Sequence, residues 1–233
     1  MKIMLEILRR RGPQDAPYRQ TFEIEAAQDD SVADLLTRLN EREPLRDVTG
    51  TEAEPVTWEC SCLERKCGAC AMRVNGRPRL ACTSFLSELG GSVVLEPLSK
   101  FPPVRDLIVD RDSVMRFLRE MRVWTEEQAV QPAGSHETRY QSARCLMCGC
   151  CMEVCPNFSA EGSFAGAMGA VNAYRAVENE KDPKRRREMI GEYRRHYYNG
   201  CGKSLSCHDI CPAGIPVEEL LVRGNHRLWH KQR

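Results

Sequence analysis

Eleven of the thirteen cysteines in this 233-residue chain fall into three sets, each spaced as ligands for an iron–sulfur cluster. Cys62, Cys67, Cys70 and Cys82 read C-x4-C-x2-C, with a fourth cysteine after eleven intervening residues. That is the plant-type spacing for a 2Fe–2S cluster. Cys145-x2-Cys148-x2-Cys151-x3-Cys155-Pro156 has the bacterial 4Fe–4S spacing, in which the fourth cysteine serves the other cluster of a pair. A second such run, Cys201-x2-Ser204-x2-Cys207-x3-Cys211-Pro212, carries serine where its second cysteine is due. Thiolates in these patterns hold iron that changes oxidation state one electron at a time, so the chain reads as an electron wire.

Ligand counting then assigns the clusters. The crossed pattern of two-cluster ferredoxins joins Cys145, Cys148 and Cys151 to Cys211, a complete set for 4Fe–4S. Cys155, Cys201 and Cys207 remain for the partner cluster, whose fourth corner falls at Ser204. A cubane lacking one protein ligand readily lacks the iron at that corner, which predicts a 3Fe–4S cluster. The alternative is a 4Fe–4S cluster held by serine oxygen, a harder and far less acidic ligand than a thiol.

Zinc competes for the first set, because it too is bound by closely spaced cysteine pairs. A zinc ribbon needs two C-x2-C pairs, and only Cys67 and Cys70 form one there. The Gly68-Ala69 step predicts instead a tight loop whose backbone amides wrap a cluster and hydrogen-bond its sulfurs. Cys60 and Cys150 are out of register and read as neighbouring or buried thiols, with Cys60 the alternative ligand to Cys62. His136, His196, His226 and His230 lie in no motif. The chain has no phosphate-cradling glycine loop and no Ser/His/Asp or Cys/His nucleophile arrangement. It is therefore expected to carry electrons rather than to perform the chemistry itself.

The elements that must hold these thiols are legible on either side of them. Ile3, Leu5 and Ile7 alternate with Met4, Glu6 and Leu8, and Tyr18 to Glu25 alternates again, which predicts two strands joined through Gly12-Pro13. Ser31 is placed to cap a helix carrying Val32, Leu35, Leu36 and Leu39. Ala71 to Val74 precedes an Asn75-Gly76 hairpin turn, and Val93 to Leu95 form a strand stopped by Pro97. These elements predict a β-grasp, plant-type ferredoxin domain over residues 1–100. A change of composition at Phe101-Pro102-Pro103 marks the boundary. Residues 101–233 are expected to form an α-helical, bacterial-ferredoxin-like domain, making the whole α+β. Within it, Leu107, Ile108, Met115, Leu118, Met121 and Val123 suggest a helix, and Gln131 to Ser135 a loop. Ala165 to Tyr198 reads as helix broken at Asp182-Pro183, and a last helix follows Pro216.

Composition narrows the function further. The net charge of +1 argues against a nucleic-acid partner. Residues 1–99 carry 13 basic and 16 acidic side chains and the remainder 21 and 17, an imbalance that reads as a solvated face, the alternative being an acidic partner or an anionic membrane surface. Nothing resembles a signal peptide, and no apolar run approaches the roughly 18–20 residues that cross a bilayer. A soluble, cytoplasmic chain is expected, where thiols are kept reduced and favour metal over disulfide.

The arrangement resembles the iron–sulfur subunit of succinate dehydrogenase and fumarate reductase, the complex II family. The resemblance rests on Cys62 to Cys70, the Asn75-Gly76 turn, Leu80-Ala81-Cys82, Pro103-Val104-Arg105-Asp106-Leu107 and the two runs from Cys145 to Pro156 and from Cys201 to Pro212. It implies a non-catalytic electron-transfer subunit working with an FAD-containing flavoprotein and a membrane-anchor cytochrome b subunit carrying haem b. Electrons would pass through 2Fe–2S, 4Fe–4S and 3Fe–4S to a quinone, on the cytoplasmic face of the cell membrane. By the same resemblance Cys62, Cys67, Cys70 and Cys82 face the flavoprotein, and Cys155, Cys201 and Cys207 face the anchor. Pro156 and His208 are the candidate quinone neighbours, against the plainer reading of His208 as a surface histidine. Asn157-Phe158-Ser159 stands where ubiquinone-reducing members carry a tryptophan pair, and Gly202 where they carry histidine. The Cys148-Gly149-Cys150-Cys151 and Cys207-His208-Asp209 surroundings are more similar to menaquinone-linked members. The alternative function is the same wire in a related flavoprotein reductase with a different electron donor or acceptor.

Overall fold

The structure is a computed structural model describing residues 1–125 and 136–230, with side chains through residue 226. The loop expected over Gln131 to Ser135 lies outside the described residues. The chain forms two compact units, Met1–Asp110 and Arg111–Arg233.

The first unit is built on a five-stranded sheet in the order β2-β1-β5-β3-β4. Strands β1 (Lys2–Arg9) and β2 (Tyr18–Glu25) pair antiparallel as predicted, and Ile3, Leu5, Ile7, Phe22 and Ile24 are buried. Helix α1 (Val32–Asn40) starts at a capping box in which Ser31 and Asp34 each bond the other's backbone. Its buried stripe is the expected Val32, Leu35, Leu36 and Leu39, with Ala33 beside it. Strands β3 (Ala71–Val74) and β4 (Arg77–Leu80) form a hairpin whose turn residues, Asn75 and Gly76, take φ of 49° and 76°. Positive φ at both positions is why Asn-Gly suits this turn. Pro78 is tolerated because β4 is an edge strand. Strand β5 (Ser92–Glu96) then inserts parallel to β1 and antiparallel to β3, completing the β-grasp arrangement.

This unit ends later than Phe101-Pro102-Pro103. A short hairpin of β6 (Pro103–Arg105) and β7 (Ile108–Val109) belongs to it. The hairpin is tied by Asp106, which accepts from Arg9 Nε and Nη2 at 2.9 and 3.0 Å and from the backbone N–H groups of Arg10 and Thr57 at 3.0 and 2.8 Å. Burial alone would push this carboxyl up, but the Arg9 guanidinium and the two amides outweigh it and hold the group below the ordinary aspartate range. Leu107 and Ile108 therefore lie in a hairpin, not in the helix their spacing suggested.

The second unit is helical. After the short α2 (Leu86–Leu89) of the first unit, α3 (Asp112–Glu120) opens the second, burying Val114 and Phe117. Met121 is buried just beyond, whereas Met115 is exposed, so the apolar face differs from the one predicted. Helices α4 (His136–Ala143) and α5 (Cys150–Glu153) precede α6 (Gly166–Asn179), which is buried nearly all round. Its alanines and glycines let neighbours approach closely: a Cβ on Gly169 would come within 2.8 Å of Met121 Sδ. Helix α7 (Pro183–Tyr193) begins where Asp182-Pro183 predicted, with Asp182 capping and proline in the first turn. A π-helical turn follows over Arg194–Tyr198. Helix α8 (Val217–His230) has Glu218 and Glu219 in its first turn, where the helix dipole favours acids.

Candidate iron–sulfur centres

Cys62 and Cys67 lie in a loop with no regular structure, Cys70 comes just before β3, and Cys82 lies in a 3-10 turn (Ala81–Thr83) after β4. Leu63, Arg65 and Gly68 take positive φ in that loop, which curls the backbone so that its amides face inward. Cys62 Sγ accepts from the N–H groups of Glu64 and Lys66 at 3.4 and 3.2 Å, and Cys67 Sγ from that of Ala69 at 3.4 Å. These amides pull the Cys62 thiol down to about 7, and a hydrogen bond from Cys67 adds to them. Cys70, at the head of β3, is instead pushed up to about 12 by burial and bonds the thiol of Cys82. The four thus form two touching pairs, Cys62 with Cys67 and Cys70 with Cys82. Donors aimed at sulfur are what an anionic thiolate cluster requires. Cys60 is exposed.

In the second unit Cys145, Cys148, Cys151 and Cys211 line one cavity, together with Met168, Val171 and Ile215. Left-handed φ at Met147 and Gly149 turns the first run around this space. Burial, and then the neighbouring thiols, push Cys151 well above the usual thiol range. Cys148 is drawn down to about 7, first by a hydrogen bond from Cys150, with Arg111 among the further causes. Among the described residues no three His, Cys, Asp or Glu side chains converge to hold a single metal ion. The four thiols surround a volume instead, which suits a multi-atom cluster.

Cys155, Cys201 and Cys207 form the third group. Burial raises the Cys207 thiol, and Cys155 and Cys201 lie near enough to raise it further. Cys201 Sγ accepts from the buried Tyr197 hydroxyl at 3.4 Å. Ser204 is exposed between Lys203 and Leu205, both at φ 55°, and its hydroxyl accepts from Ser206 Oγ at 3.2 Å. Pro156 is exposed. Both ring nitrogens of His208 meet carboxylates, Nε2 with Asp209 at 2.8 Å and Nδ1 with Glu218 at 2.6 Å. That engagement favours the surface-histidine reading over a donor to cluster or quinone.

The two departures from the tryptophan-and-histidine pattern touch each other. Asn157 Nδ2 donates to Gly200 O at 2.6 Å, and a Cβ on Gly202 would meet the same nitrogen at 2.9 Å. A side chain at 202 would have to displace the Asn157 amide from its bond to Gly200 O. Motif spacing missed Arg111, Asn172 and Tyr197 as neighbours of the thiols. Only Asn172 left a trace in the sequence, as an amide inside an alanine-rich helix.

A β-grasp unit presenting a C-x4-C-x2-C loop, followed by a helical unit with two interleaved cysteine runs, defines an iron–sulfur electron carrier. Residues 4–116 match the family model described as a 2Fe-2S iron-sulfur cluster binding domain, and residues 141–215 match the 4Fe-4S dicluster domain. The succinate dehydrogenase iron-sulfur subunit of Bacillus subtilis is 32% identical over 91% of this chain and 86% of that protein. The fumarate reductase iron-sulfur subunit of Wolinella succinogenes is 28% identical over 90% of each. A chain of the Mycobacterium smegmatis Sdh1 complex shares the fold, with a TM-score of 0.77 at 23% identity, over 99% of this chain and 97% of that one. The chain belongs to the family of succinate dehydrogenase and fumarate reductase iron–sulfur subunits, and is an electron-transfer subunit of that oxidoreductase class.

Proposed function

We propose that this chain conducts electrons between a flavoprotein subunit, where FAD oxidises succinate or reduces fumarate, and a quinone held at a haem b-bearing membrane anchor. Cys62, Cys67, Cys70 and Cys82 hold a 2Fe–2S cluster; Cys145, Cys148, Cys151 and Cys211 a 4Fe–4S cluster; Cys155, Cys201 and Cys207 a 3Fe–4S cluster. When bound, these clusters supply reversible one-electron redox chemistry. The protein's own residues fix their places. The amides of Glu64, Lys66 and Ala69 stabilise thiolate at the first site, and the apolar wall of Met168, Val171 and Ile215 keeps water from the second.

The observation that carries the reading is the cavity Cys211 shares with Cys145, Cys148 and Cys151, since a crossed two-cluster arrangement requires that distant thiol beside the first run. Among the described residues no helix is long and apolar enough to cross a membrane. Attachment to the cytoplasmic face through the anchor subunit is part of this reading. The adjoining Asn157 and Gly202 suit a quinone pocket other than the ubiquinone type, and menaquinone is the acceptor proposed.

Purification from membranes tests this. Co-isolation with a flavoprotein and a haem b subunit is expected, with about nine irons and ten inorganic sulfides per chain. Zinc in place of iron, or recovery only as a lone soluble protein, overturns it. Co-isolation with a flavoprotein that turns over neither succinate nor fumarate points to the related-reductase alternative.

A further inference from the structure

Tyr197 is among the largest fully buried side chains, with 1% of its surface exposed. Its hydroxyl donates to Cys201 Sγ at 3.4 Å. The pair is closed from the other side, because the Cys201 N–H donates to Tyr197 O at 3.0 Å. Tyrosine and cysteine thus hold each other through two bonds. Both bonds depend on the π-helical turn Arg194–Tyr198, where the Asn199 N–H reaches back five residues to Arg194 O at 3.0 Å. Single π turns are rare and recur at functional sites.

The phenol ring is held in place as well. It stacks on Phe164 at 5.8 Å between ring centres and lies 5.2 Å from the Tyr193 ring. The turn is pinned to the segment ahead of α6 by the Ala165 N–H to His196 O at 2.8 Å, and His196 Nδ1 bonds Ser163 O at 2.9 Å. The Tyr193 hydroxyl is engaged elsewhere, donating to Asn225 Oδ1 at 2.9 Å. Packing alone would be served by phenylalanine at position 197, which avoids the cost of taking a hydroxyl out of water. What the hydroxyl adds is a donor fixed on one sulfur.

We propose that Tyr197 is a positioning residue for the last cluster of the wire, its hydroxyl raising the reduction potential of the 3Fe–4S cluster through Cys201. The inference rests on the assignment of Cys155, Cys201 and Cys207 to that cluster. As a ligand, Cys201 Sγ is a thiolate and accepts the same bond more strongly than a thiol does. Reduction adds one negative charge, shared by the ligand sulfurs. A donor aimed at sulfur stabilises that charge more than it stabilises the oxidised state. One electron arrives from the 4Fe–4S side and one leaves toward the quinone, while the phenol keeps its proton throughout. A raised potential here favours the last transfer within the chain.

The test is a redox titration of the membrane-isolated complex, with each cluster followed separately by EPR. Tyr197→Phe keeps the ring and removes the donor. It is expected to lower the reduced fraction of the 3Fe–4S cluster up to about tenfold at fixed ambient potential, about 59 mV for a one-electron couple. The 2Fe–2S and 4Fe–4S midpoints should stay where they are. Tyr193→Phe, which removes a hydroxyl bonded elsewhere in the same aromatic group, should leave all three unmoved. Placing 3-fluorotyrosine at position 197, a more acidic phenol of nearly the same shape, should move the 3Fe–4S midpoint up instead. An unmoved or raised 3Fe–4S midpoint in Tyr197→Phe overturns the proposal, and so does an equal fall in Tyr193→Phe. If Tyr197→Phe fails to assemble, a midpoint that does not rise with 3-fluorotyrosine overturns it. Wild-type complex lacking a 3Fe–4S signal overturns the ligand assignment instead, so the two failures are distinguishable.

Discussion

Ser204 differs from cysteine by one atom, and on the proposed ligand assignment that atom decides how many irons the last site holds. Ser204→Cys is expected to replace the EPR signal of an oxidised 3Fe–4S cluster with a cluster that is EPR-silent when oxidised, and to add one iron per chain. Persistence of the 3Fe–4S signal in the variant would count against the assignment. Gly200 is a second sensitive position. A Cβ there would lie 2.6 Å from Phe164 Cδ2, and the Phe164 ring stacks on Tyr197, the residue bonded to Cys201. Gly200→Ala should therefore cost about 1–3 kcal/mol by overpacking, read as a lower midpoint of thermal unfolding. The serine was legible in the sequence because it interrupts a spaced motif. The Asn157, Gly200 and Gly202 contact was not, because it joins residues far apart along the chain with no periodicity between them.

At the scale of elements, the first unit followed its sequence closely. Alternation placed β1 and β2, and the polar Ser31 before an apolar periodic run placed the start of α1. Ser31→Ala should remove about 1 kcal/mol from the first unit, since the hydroxyl that accepts from the Asp34 N–H is lost while the backbone half of the capping box remains. The β6–β7 hairpin escaped notice, because strands this short carry too few residues to show a period. Its closure depends on Asp106, which like Arg9 is only 2% exposed. Removing one partner strands the other's buried charge, so Asp106→Asn is expected to cost about 3–5 kcal/mol in chemical denaturation. The sign of the pH dependence follows from the lowered carboxyl. Its stabilisation is complete above the unfolded aspartate value of about 3.9 and drains away as pH falls through the lower folded value. The wild-type unit should lose stability below about pH 4, and the Asn variant should lose less over that interval.

The two units differ, as wholes, in what sustains them. The first has a sheet with a continuous apolar face, whereas residues 199–216 of the second contain no helix or strand and are held by isolated turns such as Gly214 N–H to Cys211 O at 3.0 Å. Cluster binding is then a large part of the second unit's folding free energy. Stripping iron with a chelator under reducing conditions should leave the strand signature in circular dichroism while helical content falls and its unfolding broadens. Equal collapse of both signatures would contradict this division. Spacing alone put Cys211 with Cys145, Cys148 and Cys151, which line one cavity, but the support given by each unit's core was not legible, because burial is a property of the assembled chain.

The parallel pairing of β1 with β5, Met4 opposite Ser92 through Ile7 opposite Leu95, sets a timetable for biosynthesis. The first strand to leave the ribosome occupies the interior of the sheet and waits for the last. Cys62, Cys67, Cys70 and Cys82 all emerge in that interval, on a nascent segment whose sheet is still open. Cys211 follows much later and closes the second unit's first cavity across the whole intervening sequence. The thiols of the first unit are thus all in the chain before any of those of the second.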